Sequence, residues 1–182
     1  MSSDAIELST DELRAVTAYA VACAEPALAR FEARRPGDVR AREAVVAARA
    51  FADGGRRTKA IRDGAWAAQR ACGEARDAGD PVAAEAARAA VAAAGAAYLH
   101  PLAKATQVPH VLGAAAHDAR SAELDSGDAA AVLARAEGLA DATVVAVLRR
   151  YPHAPAGRGR VGELTRLLDA ALRRRVDGLA DD

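Results

Sequence analysis

Apolar residues recur at spacings of three and four along nearly the whole chain, and nowhere do they alternate singly with polar ones. A period of 3.6 residues lays such positions along one stripe of an α-helix, whereas a half-buried strand needs a period of two, so helices are expected throughout and no strand. The pattern is clearest from Leu13 to Phe51. Ser9-Thr10-Asp11-Glu12 reads as a capping box, the serine side chain accepting from the backbone three residues on while Glu12 reaches back. Leu13, Val16, Ala20, Cys23, Ala27 and Phe31 then share one face, and Pro26 inside that helix predicts a bend near Ala22 rather than a break. Arg35-Pro36-Gly37-Asp38 supplies a turn, Asp38 is placed to cap a second helix, and Ala41, Ala44, Val45, Ala48 and Phe51 form its face. Two facing stripes across a tight turn give an antiparallel hairpin.

Asp53-Gly54-Gly55 ends the second helix, since paired glycines take the left-handed conformation that closes one. A third starts near Thr58, with Ile61, Ala65, Ala68, Cys72 and Ala75 on its stripe and Trp66, the only tryptophan, on a flank. Ala78-Gly79-Asp80-Pro81 marks a boundary, Asp80 as cap and Pro81 at the first helical position. The fourth helix, from Pro81 to about Tyr98, is nearly all alanine and belongs at the centre, where short side chains let neighbours approach closely. His100-Pro101 and Val108-Pro109 bracket an irregular passage, because a residue before proline avoids the helical region. A fifth helix follows from about Pro109 to Glu123, and a sixth from Ser126-Gly127-Asp128 to about Leu139. A seventh, capped by Asp141, carries Val144, Val147, Leu148 and Tyr151. After a loop from Pro152 to Gly162, the last helix runs from about Gly159 to Arg175 with Val161, Leu164, Leu168, Ala171 and Leu172 on one face. The expected fold is an all-α antiparallel bundle of seven to eight helices without a sheet. Residues 1–125 are expected to form its core and residues 126–182 a helical extension packed on the same core.

Composition narrows the function classes. Aromatic residues make up only 3% of the 182, so helices must be held by backbone proximity more than by large side chains. The formal net charge is zero, which argues against non-specific nucleic-acid affinity for the chain as a whole. Cys23 and Cys72 lie on apolar faces of different helices, as suits a reducing cytosol, and an acidic N-terminus without an apolar run predicts no signal peptide. No stretch approaches a membrane span. The expected protein is cytoplasmic and needs no cofactor.

Three constellations bear on chemistry. Glu25 lies near the apolar stripe of the first helix, and Arg42 and Arg49, seven apart, share a face of the second; they are read as ion pairs bridging the hairpin. His110 and His117 project on one side of the fifth helix with His100 upstream, a weak metal set because no carboxylate or cysteine stands at a ligand-like offset. His153, in a proline loop, is expected to be solvated. Gly157 to Gly162 matches G-x-G-x-x-G without the preceding strand a dinucleotide site needs, leaving an anion-receptive helix start. From Arg149 to Arg175 there are eight arginines against Glu163 and Asp169, a local charge of +6. Arg149, Arg150, Arg158 and Arg160 are therefore the candidate partner- or anion-binding residues, against the plainer reading of a solvated face answering the acidic N-terminus. No nucleophile with an activating base is visible, and no catalytic residue is assigned.

Cys23-Ala24-Glu25, Leu28, Phe31-Glu32, Pro36, Asp38, Arg40, Arg42 and Ala47-Ala48-Arg49-Ala50-Phe51 resemble the Imm-5-like family of bacterial immunity proteins, the small antidotes encoded beside polymorphic toxins. His110-Val111-Leu112-Gly113-Ala114-Ala115 is similar to that family's second signature, although the family is richer in histidine where this chain has Tyr98, Gln107 and Pro109. The last third, with Val147 to Pro152 and Gly157 to Asp169, resembles a tail of some relatives labelled as the C subunit of a repair exonuclease. The chain has no G-x-x-x-x-G-K-[ST], no C-x-x-C hook and no long heptad run to go with that label. The resemblance implies a non-catalytic protein that binds and neutralises a cognate toxin through a protein–protein interface. The alternative is a nucleic-acid-associated protein using the arginine-rich C-terminal segment. An apolar face left over on the final helix also makes room for a homodimer.

Overall fold

A computed structural model describes residues 5–157 and 159–175. Among them are eight α-helices: α1 (Thr10–Arg34), α2 (Arg40–Ala52), α3 (Lys59–Asp77), α4 (Pro81–Ala96), α5 (Val108–Ser126), α6 (Ala129–Leu139), α7 (Ala142–Arg149) and α8 (Arg160–Arg174). No strand forms among the described residues. The one β-contact is an isolated bridge between Ala5 and Leu102, beside which the Ile6 N–H donates to the Pro101 carbonyl at 3.0 Å.

Local chemistry sets most of the boundaries. Ser9 Oγ accepts from the Glu12 N–H at 3.1 Å while the Glu12 carboxylate accepts from the Ser9 N–H at 2.8 Å, which closes the capping box. Asp80, Asp128 and Asp141 each accept from the N–H three residues on and so start α4, α6 and α7. Gly127, at φ 84°, takes the left-handed conformation that ends α5. Asp38 departs from its expected role. The N-cap of α2 is Val39, with no side-chain cap bond, and Asp38 instead accepts from both the backbone N–H and the guanidinium of Arg40. The α4 helix ends at Ala96, two residues short of Tyr98, and α5 begins one residue before Pro109 and reaches Ser126.

α1 runs through Pro26 unbroken. Proline has no N–H, so the Ala22 carbonyl one turn back loses its helical donor. Arg135 of α6 donates to that carbonyl at 3.0 Å, so a side chain from a distant helix replaces the missing bond.

α4 is the axis of the packing. Ten of its sixteen residues are buried, nine of them alanine, because α1, α2, α3 and α5 all pack against it. α5 is covered by α1, α6 and α8 as well, and is buried on most of its circumference. Ala116, Ala119, Ala129 and Leu164 make a small second cluster between α5, α6 and α8, whereas Val144, Val147, Leu148, Leu168 and Leu172 join the main core. Close approach is built into the sequence at Gly64, where a Cβ would lie 3.0 Å from the Ala44 Cα of α2.

Two outcomes are expected in urea titrations. Gly64→Val destabilises by about 2 kcal/mol through overpacking, whereas Gly73→Ala, whose Cβ would meet only the Arg76 Nη2 at 4.0 Å, stabilises by about 0.5 kcal/mol. Arg135→Ala loses about 1 kcal/mol in the natural chain and almost nothing in a Pro26→Ala background, where the helix supplies its own donor. Equal losses in both backgrounds would mean that the two residues are not coupled.

Candidate functional site

Most described arginines of the C-terminal segment are bonded to the chain itself. Arg150 donates to the Glu7 carbonyl at 2.7 Å and to the Glu12 carboxylate, whose pKa that guanidinium helps lower to about 2. Arg160 grips Glu123 of α5 at 2.6 Å and Glu163 at 2.9 Å, holding the Glu123 carboxyl below its ordinary range. Arg149 donates to the Arg173 and Arg175 carbonyls at the end of α8. Arg173 reaches the Leu148, Tyr151 and Pro152 carbonyls, each at 3.1 Å. Arg158 lies outside the described residues. The chain therefore brings Arg149, Arg150 and Arg160 onto helix ends and carboxylates of its own, at three separate places.

Across the hairpin Glu25 pairs with Arg49, while Arg42 takes Glu32 at 2.5 Å. Both pairs are well exposed to water, where such contacts contribute little to stability.

The histidines do not gather as a ligand set, although His110 and His117 line one cleft between α4 and α5. His110 Nδ1 lies 3.0 Å from the Gly95 carbonyl of α4, and His117 Nδ1 lies 2.7 Å from Glu85 Oε2 on the same helix. His100 is exposed, its N–H on Gln107 and its carbonyl accepting from the Tyr151 hydroxyl at 2.9 Å. His153 is exposed beside Asp169 at 3.5 Å. Among the described residues no three His, Cys, Asp or Glu side chains come together as a metal set. The carboxylate partner of His117 comes from across the helix pair, which a search along one helix could not find.

Sequence reasoning missed the main polar feature of the interior. Asp118 of α5 is 1% exposed and meets Arg30 of α1, which also donates to the Asp118 carbonyl at 3.0 Å and to Ser121 Oγ at 3.1 Å. Ser121 passes the chain on to the Val82 carbonyl of α4 at 3.1 Å, so three helices are joined. Burial raises the Asp118 carboxyl from 3.8 to about 6 against the pull of Arg30, and Asp118 Oδ2 has no hydrogen-bond partner. The signal was in the spacing: Asp118 stands with Val111, Ala115 and Ala122 on a buried stripe. Burial also pushes the Cys23 thiol up to about 12.

Outward-facing features are few. Trp66 of α3 is 64% exposed, and Val39, Val46, Leu139 and Leu167 are the other large apolar residues in water. Leu167 and Ala171 of α8 border a shallow groove against Ala130, Leu133 and Ala134 of α6. Beside α3, Tyr98 lies under two guanidinium groups, Arg57 at 5.4 Å and Arg62 at 5.8 Å from the ring centre. No helix among the described residues is long and apolar enough to cross a membrane.

Residues 7–143 match a family model described as "Imm-5 like putative immunity protein". Neither a curated protein nor a solved structure matches the chain. Arg30 and Asp118 both fall inside the matched stretch.

The buried pair makes stability depend on pH in a defined direction. A folded-state pKa above the unfolded value means the folded chain binds this proton more tightly, so the Asp118 contribution to stability is lost as pH rises through about 6 and regained below it. Arg30→Met, which strips the carboxylate of its counter-charge, is expected to lose about 3 kcal/mol at alkaline pH and to recover part of it on acidification. Urea titrations at several pH values check this, with a pH-independent loss as the contrary result.

Proposed function

The chain belongs to the Imm-5-like family of immunity proteins, and from that premise we propose that it is a non-catalytic cytoplasmic antidote that binds one cognate toxin and covers its working surface. The family match carries this reading. The architecture supports it physically: helices locked by close contact and by internal arginine ties lose little freedom on binding, which favours a preformed protein–protein surface. An inhibitor of this kind needs no reacting groups of its own. The buried Cys23 and Asp118 serve the interior, and His110 and His117 make hydrogen bonds between α4 and α5.

The nucleic-acid alternative draws on the arginines of residues 149–175. Arg149, Arg150, Arg160 and Arg173 already hold carbonyls and carboxylates of the chain itself, so few donors are left for a phosphate backbone. A homodimer would use the α6–α8 groove and leave a separate face for the toxin.

Co-expression with the toxin-like protein encoded by the neighbouring gene tests the proposal. Growth arrest by that protein alone, relief of the arrest by this chain, and co-purification of the two at equal stoichiometry are expected. A toxin that stays active beside the folded chain, with no complex recovered, defeats the reading.

A further inference from the structure

We propose that the toxin is taken by the outward face of α3, with Trp66 as its anchor, and that this face fits an acidic patch on the partner protein. The inference rests on the immunity reading and assigns a surface to it.

The fold does not use the Trp66 indole. The inward stripe of α3 is already complete with Ile61, Ala68, Ala71, Cys72 and Ala75, all buried, while Trp66 stands 64% exposed. Tyr19, Phe31, Phe51 and Tyr151 are all buried and Tyr98 is half-buried, which leaves Trp66 as the one aromatic classed as exposed. An indole on a rigid helix brings large contact area with few rotatable bonds, and Trp, Tyr and Arg are the residues on which binding energy concentrates.

The surroundings give the face its sign. Residues 56–70 hold Arg56, Arg57, Lys59, Arg62 and Arg70 against Asp63 alone, a local charge of +4 in a neutral chain. Lys59 lies 3.4 Å from Asp63. Arg62 and Arg70 stand one turn to either side of Trp66 and are exposed. Arg56 makes neither a hydrogen bond nor an ion pair with a described residue, and Arg70 acts only electrostatically on Glu74, one turn on. Arg57 and Arg62 rest over the Tyr98 ring, and while Arg57 also donates to the Ala97 carbonyl at 3.1 Å, the exposed Arg62 guanidinium keeps its edge for a partner. A cationic rim around an exposed aromatic is complementary to an apolar spot ringed by carboxylates, and such pairing also speeds encounter.

The test titrates the toxin domain encoded beside this chain with wild-type protein, Trp66→Ala, the pair Arg62→Glu with Arg70→Glu, and Leu167→Ser on α8 as a control surface. All four sites are exposed, so circular dichroism is expected to show an unchanged fold. The proposal expects at least about thirtyfold weaker binding for Trp66→Ala and for the charge reversal, with Leu167→Ser unchanged. The single fluorine resonance of fluorotryptophan-labelled protein is expected to shift on adding toxin. Wild-type binding that survives both α3 changes overturns the assigned face and leaves the immunity reading standing. Wild-type protein that does not bind the toxin at all overturns both. Sedimentation showing a dimer that Trp66→Ala splits, or retardation of a single-stranded oligonucleotide at physiological salt that the charge reversal abolishes, assigns the face to another occupant and overturns the proposal too.

Discussion

A helix made of methyl groups holds its neighbours only where they come close enough to touch it on nearly every side, and α4 is such a helix. Each buried alanine removes little apolar area from water, so cohesion has to come from many short-range contacts rather than from a few large side chains. That requirement explains why α4 sits between α1, α2, α3 and α5, and why glycine stands at Gly64, where α3 meets the backbone of α2. The large side chains, Phe31, Leu28, Leu112 and Leu148 among them, fill what the methyl groups leave open.

Close packing of plain helices leaves their carbonyl ends to be satisfied, and arginine does much of this. Arg57 donates to the Ala97 carbonyl beyond α4 at 3.1 Å, Arg175 to the Ala140 carbonyl beyond α6 at 2.6 Å, and Arg149 and Arg173 bind the ends of α8 and α7 reciprocally. Cations are favoured there both by hydrogen bonding and by the negative end of the helix dipole. Arg135 makes the same kind of contact in mid-helix, at the carbonyl that Pro26 leaves without a donor. The arginine content of this chain is thus in large part structural, and local charge on α7 and α8 is a poor guide to what those helices bind.

Helices were legible in the sequence because their signals are local: a serine or aspartate at the start, glycine or proline at the end, and a stripe between. Asp80, Asp128 and Asp141 act where the pattern put them. Asp38 does not, since Arg40 two residues on competes for the same carboxylate. The partners of charged groups were far less legible. Asp118 falls on a buried stripe, but Arg30 lies 88 residues away, and Glu85 lies 32 residues from His117. Likewise the +6 count over residues 149–175 says nothing of the backbone carbonyls on which those arginines end. Periodicity placed Trp66 on a flank of α3, and only the packing distinguishes a flank that is covered from one left in water.

The contacts of α1 reach almost the full length of the chain. Arg135 meets Ala22 across 113 residues and Arg150 meets Glu12 across 138. Most of the apolar stripe of α1 is covered by α2, α4 and α5, and only its last ties wait for α6 and α7. The bundle core can thus close around α4 before α6 and α7 are made, and the polar ties of those two helices to α1 complete it afterwards.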